Sequence, residues 1–318
     1  MKWTLVCALF LLGLSACGDD SAGGDAEAAT KPKMIGFSMK NANNPFFKII
    51  ADSLAEEAAG HGYEVVIVSG DDNVQTQAGQ IEDWVTRQFS AIVLNPVDSK
   101  TIGPAIRKAN KVSIPVFTCD LKCTDPEAEV VTHVATDNFQ GGRLAGEAMV
   151  GLLGETGGQV LVLDLKSAES CVLRVQGFKE IIDAHNAASE HDIEIVAELE
   201  SMGDKKRGYD ATNDALISHP ELDAIFAIND PAALGAYQAL GDRAGSIPII
   251  GFDGQLDGRQ AIKDGKIHAD PIQFPDRMGR MTMQAILAYF AGEPVPPETL
   301  IASELYTKAE ADLDPELR

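Results

Sequence analysis

The feature that most constrains this chain is an alternation of two hydrophobic periods. From Met34 onward, short apolar runs recur between longer stretches whose apolar residues fall at helical spacing. Met34–Phe37, Glu64–Val68, Ala91–Leu94, Pro115–Phe117 and Val130–Ala135 read as strands. Phe46–Gly60, Val74–Arg87, Thr101–Asn110 and Asn138–Leu153 read as helices; in the first of these Phe47, Ile50, Leu54 and Ala58 share one face. The second half repeats the plan. Its strands are Gln159–Leu163, Ile193–Leu199, Ala224–Ala227, Pro248–Gly251 and Lys266–Ala269. Its helices are Val172–His185, Arg207–Ser218, Pro231–Leu240, Leu256–Asp264 and Pro275–Ala291. Such alternation predicts βαβ units and parallel sheets. About ten strands are more than one such sheet usually holds, and 318 residues suit about two domains. The expected fold class is α/β, with two doubly wound lobes. Ligands of such sheets bind outside the carboxyl ends of the strands, so the loops after the strands are where function is sought.

Those loops hold little catalytic equipment. No G-x-x-x-x-G-K-[ST] loop, no G-x-G-x-x-G after a strand and no G-x-S-x-G elbow occurs. Gly151, Gly154, Gly157 and Gly158 cluster at a helix end and read as capping and turn chemistry. The six His show no paired metal spacing. No nucleophile–base pair accompanies the carboxylates, so neither an enzyme, a metal nor a cofactor is expected. The strand ends collect planar amides, carboxylates, one guanidinium and aromatic rings instead. Asn43, Asn44, Phe46 and Phe47 follow the first strand, and Asp120 follows Pro115–Phe117. Arg174 stands near a helix start, Asn229 and Asp230 follow Ala224–Ala227, Asp253 follows Pro248–Gly251, and Gln273 follows Lys266–Ala269. That mixture suits a sugar: the polar groups bond neighbouring hydroxyls in pairs and the rings cover the C–H face. Each residue also has a plainer reading. Asn and Asp at strand ends cap the next helix, Asn44-Pro45 is a helix-start signal, and Phe46 and Phe47 are ordinary core. The shared position at one edge favours the sugar.

Charge narrows the partners further. With 26 Lys+Arg against 48 Asp+Glu the formal charge is −22, which argues against nucleic acid and against electrostatic docking on anionic lipid. It leaves room for a lipid anchor. Residues 1–17 carry Lys2, then a mostly apolar run from Trp3 to Leu14, too short to span a bilayer but suited to a secretory signal. The segment ends Leu14-Ser15-Ala16-Cys17, similar to a bacterial lipobox, which implies cleavage before Cys17 and lipidation of its sulfur. An ordinary signal peptide that contains a Cys is the alternative. Gly18 follows, and which membrane holds the anchor stays open. Residues 17–33 have no large aliphatic or aromatic side chain and read as a flexible tether. Cys119, Cys123 and Cys171 then face an oxidising compartment, as free thiols or with one disulfide among them.

The residues in order carry a resemblance. Asn43–Phe47 (NNPFF), Ala91–Asp98 (AIVLNPVD), His133–Gly146 (HVATDNFQGGRLAG), Phe226–Gly235 (FAINDPAALG) and Ile250–Gly254 (IGFDG) look like type I periplasmic sugar-binding proteins of the ribose-binding branch, from Met34 to about Tyr306. The resemblance implies two Rossmann-like lobes that close on a sugar, joined by three hinge crossings near Thr136, Gln273 and Ser303. The N-lobe would be 34–136 with 274–303, and the C-lobe 137–273 with 304–318. It implies a monomer that hands its sugar to an ABC permease; a receptor feeding a chemoreceptor or sensor kinase is the alternative. A DNA-binding repressor shares the effector fold, but this chain has a signal-like start and no basic surface. The contacts it implies fall on Asn44, Phe46, Phe47, Asp120, Arg174, Asn229, Asp253 and Gln273. Two positions depart from ribose binders: Leu121 stands where they have Arg, and the Met202–Gly203 loop lacks their Phe. Losing a bidentate donor costs roughly 1.5–3 kcal/mol if its acceptor stays unpaired, while Met202 offers part of a stacking face. Lys40 replaces a small hydroxyl residue and is either a rim charge or a new ligand donor. Pentoses other than ribose, hexoses and polyols therefore all stay open. Ala substitution of Asp120 or Arg174 is expected to weaken binding at least tenfold with little effect on fold stability.

Overall fold

The structure, a computed structural model, describes residues 33–318. The signal segment, Cys17 and nearly all of the expected tether lie outside the described residues. In chain order the first half runs β1 (Lys33–Met39), α1 (Pro45–Ala59), β2 (Tyr63–Ser69), α2 (Val74–Thr86), β3 (Ala91–Leu94), α3 (Gly103–Asn110), β4 (Val116–Cys119), β5 (His133–Thr136) and α4 (Asn138–Leu153). It continues through β6 (Gly158–Asp164), α5 (Glu169–Asn186), β7 (Ile193–Glu200), α6 (Lys205–Ser218), β8 (Ala224–Ala227), α7 (Asp230–Leu240), β9 (Ile249–Ile250) and α8 (Leu256–Lys263). The chain ends with β10 (Ala269–Ile272), α9 (Pro275–Ala291), β11 (Glu298–Ile301), β12 (Glu304–Thr307) and α10 (Lys308–Leu313).

These strands form two six-stranded sheets, ordered β11-β5-β4-β3-β1-β2 and β12-β10-β9-β8-β6-β7. Every pairing is parallel except β10 with β12. Two doubly wound α/β lobes are thus present, as the alternation implied. Helices cover both faces, and the central strands β3, β4 and β8 are buried along their whole length, which is why they read as unbroken apolar runs. Many helices start on a side-chain cap. Asn44, Asn73, Asp137, Asp204 and Asn229 each accept from a backbone N–H in the first turn of α1, α2, α4, α6 and α7, satisfying donors the helix cannot.

The chain passes between the sheets three times, after β5, after β10 and after β11. Hydrogen bonds tie these crossings together. Thr136 Oγ1 donates to Gln273 Oε1 at 2.7 Å, and Ser303 Oγ donates to the Ile272 carbonyl at 2.6 Å. Gln140 brackets Ser303, accepting from its N–H at 2.9 Å and donating to its carbonyl at 3.3 Å.

The expected strand at Lys266–Ala269 is corrected to Ala269–Ile272. Lys266 still bonds back to Ala261 at the end of α8, and the true strand reads Ala-Asp-Pro-Ile. A buried carboxylate and a proline hide it from a search for apolar runs. Strand β5 starts at His133 rather than Val130. Strands β11 and β12 and helix α10 were not expected; both strands alternate exposed polar residues with few buried ones. Cys119, Cys123 and Cys171 are free thiols. Among the described residues, no helix is long and apolar enough to cross a membrane.

Candidate functional site

The carboxyl ends of the two sheets face each other across a cleft of about 770 Å³. All eight residues singled out as contacts border it: Asn44, Phe46, Phe47, Asp120, Arg174, Asn229, Asp253 and Gln273. Lys40, Leu121 and Met202 border it as well.

From the first lobe, α1 presents an aromatic corner. Pro45 sets the helix start, and Asn44 Oδ1 accepts from Phe46 N at 3.0 Å. Capping uses this oxygen and leaves the Asn44 amide hydrogens available. Phe46 and Phe47 meet edge to face, with centroids 5.8 Å apart and planes at 85°. Both are buried in the core, and both also border the cleft.

Asp120 follows β4 on a tight three-residue turn, with Leu121 N donating to Cys119 O at 2.7 Å. Its φ of 63° lies in the left-handed region, a strained conformation for a non-glycine residue and a common device at ligand sites. The side chain is buried, and its Oδ1 has no hydrogen-bond partner among the described residues. Burial lifts its pKa to about 7, although Arg174 and Lys40 pull the other way; Asp253 adds to the rise.

The second lobe holds a connected network. Arg174, on α5, donates from Nε to Asn138 Oδ1 at 2.8 Å and from Nη1 to Ile228 O at 2.6 Å and Asp253 Oδ1 at 2.9 Å. Its guanidinium carbon lies 3.8 Å from the centroid of the Phe252 ring, a cation–π contact in a dry setting. Its Nη2 has no acceptor among the described residues. Asp253, with φ 104°, also accepts from Gln273 Nε2 at 2.6 Å and Gln255 Nε2 at 3.2 Å. Burial raises its pKa, and Arg174, Gln255 and Gln273 draw it back. Asn229 caps α7 through Oδ1 and donates from Nδ2 to Gly203 O at 3.0 Å.

The uncertain positions now have places. Leu121 is an almost fully buried apolar wall beside Asp120. Met202 is half-exposed at the rim, on a left-handed turn with Gly203, so it does not replace a buried stacking face. Lys40 is largely buried, its Nζ 4.0 Å from Asp72 at the cleft border. Sequence reasoning missed Asn138, which orients the guanidinium. It also missed the Asp230–Asp270 pair below Asp253. Burial raises both carboxyls, Asp270 to about 6 and Asp230 well above the usual carboxylate range, with the neighbouring Asp270 charge adding to the rise at Asp230. The only local signal for that pair was a charge within the Ala-Asp-Pro-Ile strand. No group of three or more His, Cys, Asp and Glu able to hold a metal occurs among the described residues.

Comparison with known proteins gives this geometry a context. The periplasmic binding protein domain family matches residues 35–294. The ribose import binding protein of Salmonella typhimurium is 32% identical over 263 residues, covering 82% of this chain and 86% of its own. A D-apiose import binding protein of Paraburkholderia graminis is 29% identical, covering 98% and 96%. The crystal structure of a solute-binding protein from Bacillus halodurans with bound myo-inositol superposes with a TM-score of 0.80 at 25% identity, covering 89% of this chain and 98% of that one. These relatives are substrate-binding proteins and not enzymes. The chain belongs to the type I periplasmic sugar-binding proteins, a family of two-lobed α/β capture proteins.

Proposed function

We propose that this protein is a lipid-anchored, extracytoplasmic receptor that captures one monosaccharide or polyol between its lobes and delivers it to an ABC permease. The observation that carries this reading is the buried Asp120 carboxylate, unpartnered on Oδ1 and bordering the same cleft as the Arg174–Asp253–Gln273 network. An unpaired buried carboxylate is costly, and a hydroxyl pair from a sugar would satisfy it together with the free Nη2 of Arg174. Phe46 and Phe47 would pack on the ring, and Asn44 and Asn229 would complete the polar shell. The lobes are 34–136 with 274–303 and 137–273 with 304–318, and the bonded crossings at Thr136, Gln273 and Ser303 are the hinge. Ligand contacts from both lobes then favour the closed state over the open one.

Ribose itself fits less well than the ribose relatives would suggest. Leu121 supplies no donor beside Asp120, and Met202 supplies no buried ring. Calorimetric titration of the purified mature protein against D-ribose, D-apiose, D-allose, D-arabinose and myo-inositol tests the reading. At least one is expected to bind, and Asp120→Asn is expected to weaken it at least tenfold. Silence of the wild-type protein across this panel, widened to common hexoses and linear polyols, would overturn it.

A further inference from the structure

Helix α5 carries Arg174 yet has no side-chain cap of its own: its N-cap residue is Ala168. Its first N–H, that of Glu169, donates instead to Ser99 Oγ at 3.2 Å. Ser99 belongs to the other lobe, in the loop between β3 and α3. A second bond accompanies the first, from Ser99 N to Ser167 O at 3.2 Å, just ahead of the helix. Ser99 is itself held on its own side, because its carbonyl accepts from Thr124 N at 2.8 Å and from Thr124 Oγ1 at 3.1 Å. It is 2% exposed, so the contact is dry. Burial raises the pKa of Glu169, the first residue of α5, with Lys122 of the first lobe pulling it down and Glu298 pushing it up.

A helix start normally takes its cap from the residue preceding it. Here the capping hydroxyl comes from another lobe, so separating the lobes must break the cap. We infer that Ser99 is a positioning residue that caps α5 in trans, completing the helix that carries Arg174 only while the lobes are together. This rests on the reading of the cleft as a site that the lobes close. Closure therefore completes the start of α5: an open molecule has a frayed first turn, while the Asn138–Ile228–Asp253 cradle, all within the second lobe, holds the guanidinium in either state. Ser99 does not border the cleft itself, so it acts through α5 and not by touching ligand.

Hydrogen exchange with mass spectrometry on the mature chain, saturated with whichever of D-ribose, D-allose and myo-inositol binds, tests this in the closed state, where the cap exists. Residues 204–208 serve as the internal reference, because α6 is capped by its own Asp204, whose Oδ1 accepts from Arg207 N at 3.0 Å. Ser99→Ala is expected to speed exchange over residues 168–171 about fivefold, the size of a typical lost cap, and to leave the reference unchanged. Ser99→Thr keeps the hydroxyl and is expected to stay within about twofold of wild type. Equal exchange in Ser99→Ala and wild type, or an equal rise in the reference, overturns the inference. A second arm uses D-ribose, D-allose and myo-inositol as probes in stopped-flow. For whichever probe binds, Ser99→Ala should raise koff about fivefold with kon within about twofold; an unchanged koff overturns the inference. If none of the three binds, the choice of ligand in the proposed function is at fault, and both arms are run with the sugar that the wider panel identifies; silence across that panel overturns the proposed function, whereas an unchanged koff with a sugar that binds overturns only the role of Ser99.

Discussion

At the scale of single residues, the cleft concentrates groups that are costly alone and useful with a partner. Four of the seven non-glycine residues with positive φ among the described residues, Asp72, Asp120, Met202 and Asp253, border the cleft. Strain of about 1–3 kcal/mol at each such position persists only when the surroundings enforce it. Asp120 adds a titration. Its folded pKa is about 7, against 3.8 for a free side chain, so between those values the folded chain holds a proton that the unfolded chain has lost. Stability from this group therefore falls as pH rises from about 4 to about 7. Asp120→Asn should raise Tm at pH 8 relative to wild type and leave it nearly unchanged at pH 4, read by differential scanning calorimetry. A ligand hydroxyl donating to the carboxylate favours its ionised form. Affinity should then rise across pH 5–7 and level off above, with proton release detected by titration in buffers of different ionisation heat. A flat affinity over pH 5–8 would contradict a hydroxyl on Asp120.

Arg174 behaves differently, and the structure revises the expectation that its loss spares the fold. Its three acceptors and the Phe252 face make it a buried structural tie as well as the proposed ligand donor. Arg174→Ala leaves Asp253 buried without its ion-pair partner, and breaking such a pair costs about 3–5 kcal/mol. Urea unfolding should show a loss of that size, beside the loss of sugar affinity.

At the scale of elements, the placement of Arg174 depends on how closely α4 and α5 approach. A Cβ at Gly142 would run into the Arg174 carbonyl oxygen, and one at Gly177 into the Phe139 carbonyl oxygen. The two helices thus touch backbone to backbone at reciprocal glycines. Gly142→Ala should lower Tm and weaken ligand binding together, because α5 must move outward. Gly151→Ala, on the same helix with open space around it, should instead stabilise by about 0.5–1 kcal/mol through helix propensity. Similar effects from the two variants would show that the close approach is not what holds α5. Element scale also explains what periodicity could and could not reveal. The central strands are covered on both faces and read as apolar runs. Strand β10 carries Asp270, fully buried with its pKa raised by burial, so its polarity masked its place in the sheet.

At the scale of the whole molecule, lobe membership depends on chain crossings. Local pattern implied two α/β lobes. The family resemblance, and not local pattern, implied that the chain returns to the first lobe and then crosses again; the sheet order has β11 in the first sheet and β12 in the second. The proposed hinge is correspondingly a bonded cluster of residues distant in sequence, with Gln273 linking Thr136 to Asp253. Attachment to a membrane is the remaining whole-molecule question. Cys17→Ser expressed with its native leader should move the protein from the detergent phase to the aqueous phase in Triton X-114 partition. Wild-type protein already in the aqueous phase would remove the lipid anchor from the proposal.

The sequence by itself determined the α/β class and the residues at the ligand edge, because strand-end position and helix-start chemistry are local properties. The same locality let Asn44 and Asn229 be read as caps and as cleft groups at once. Tertiary structure alone decided which carboxylate is satisfied and which is not. Asp120 and Asp253 look alike in sequence, but Asp253 receives Arg174, Gln255 and Gln273, while Asp120 Oδ1 receives nothing. It also decided that Ser99, unremarked in its own loop, completes a helix in the other lobe. Hydrogen-bond satisfaction and burial are sums over neighbours brought together by three chain crossings, and no local reading of the chain contains them.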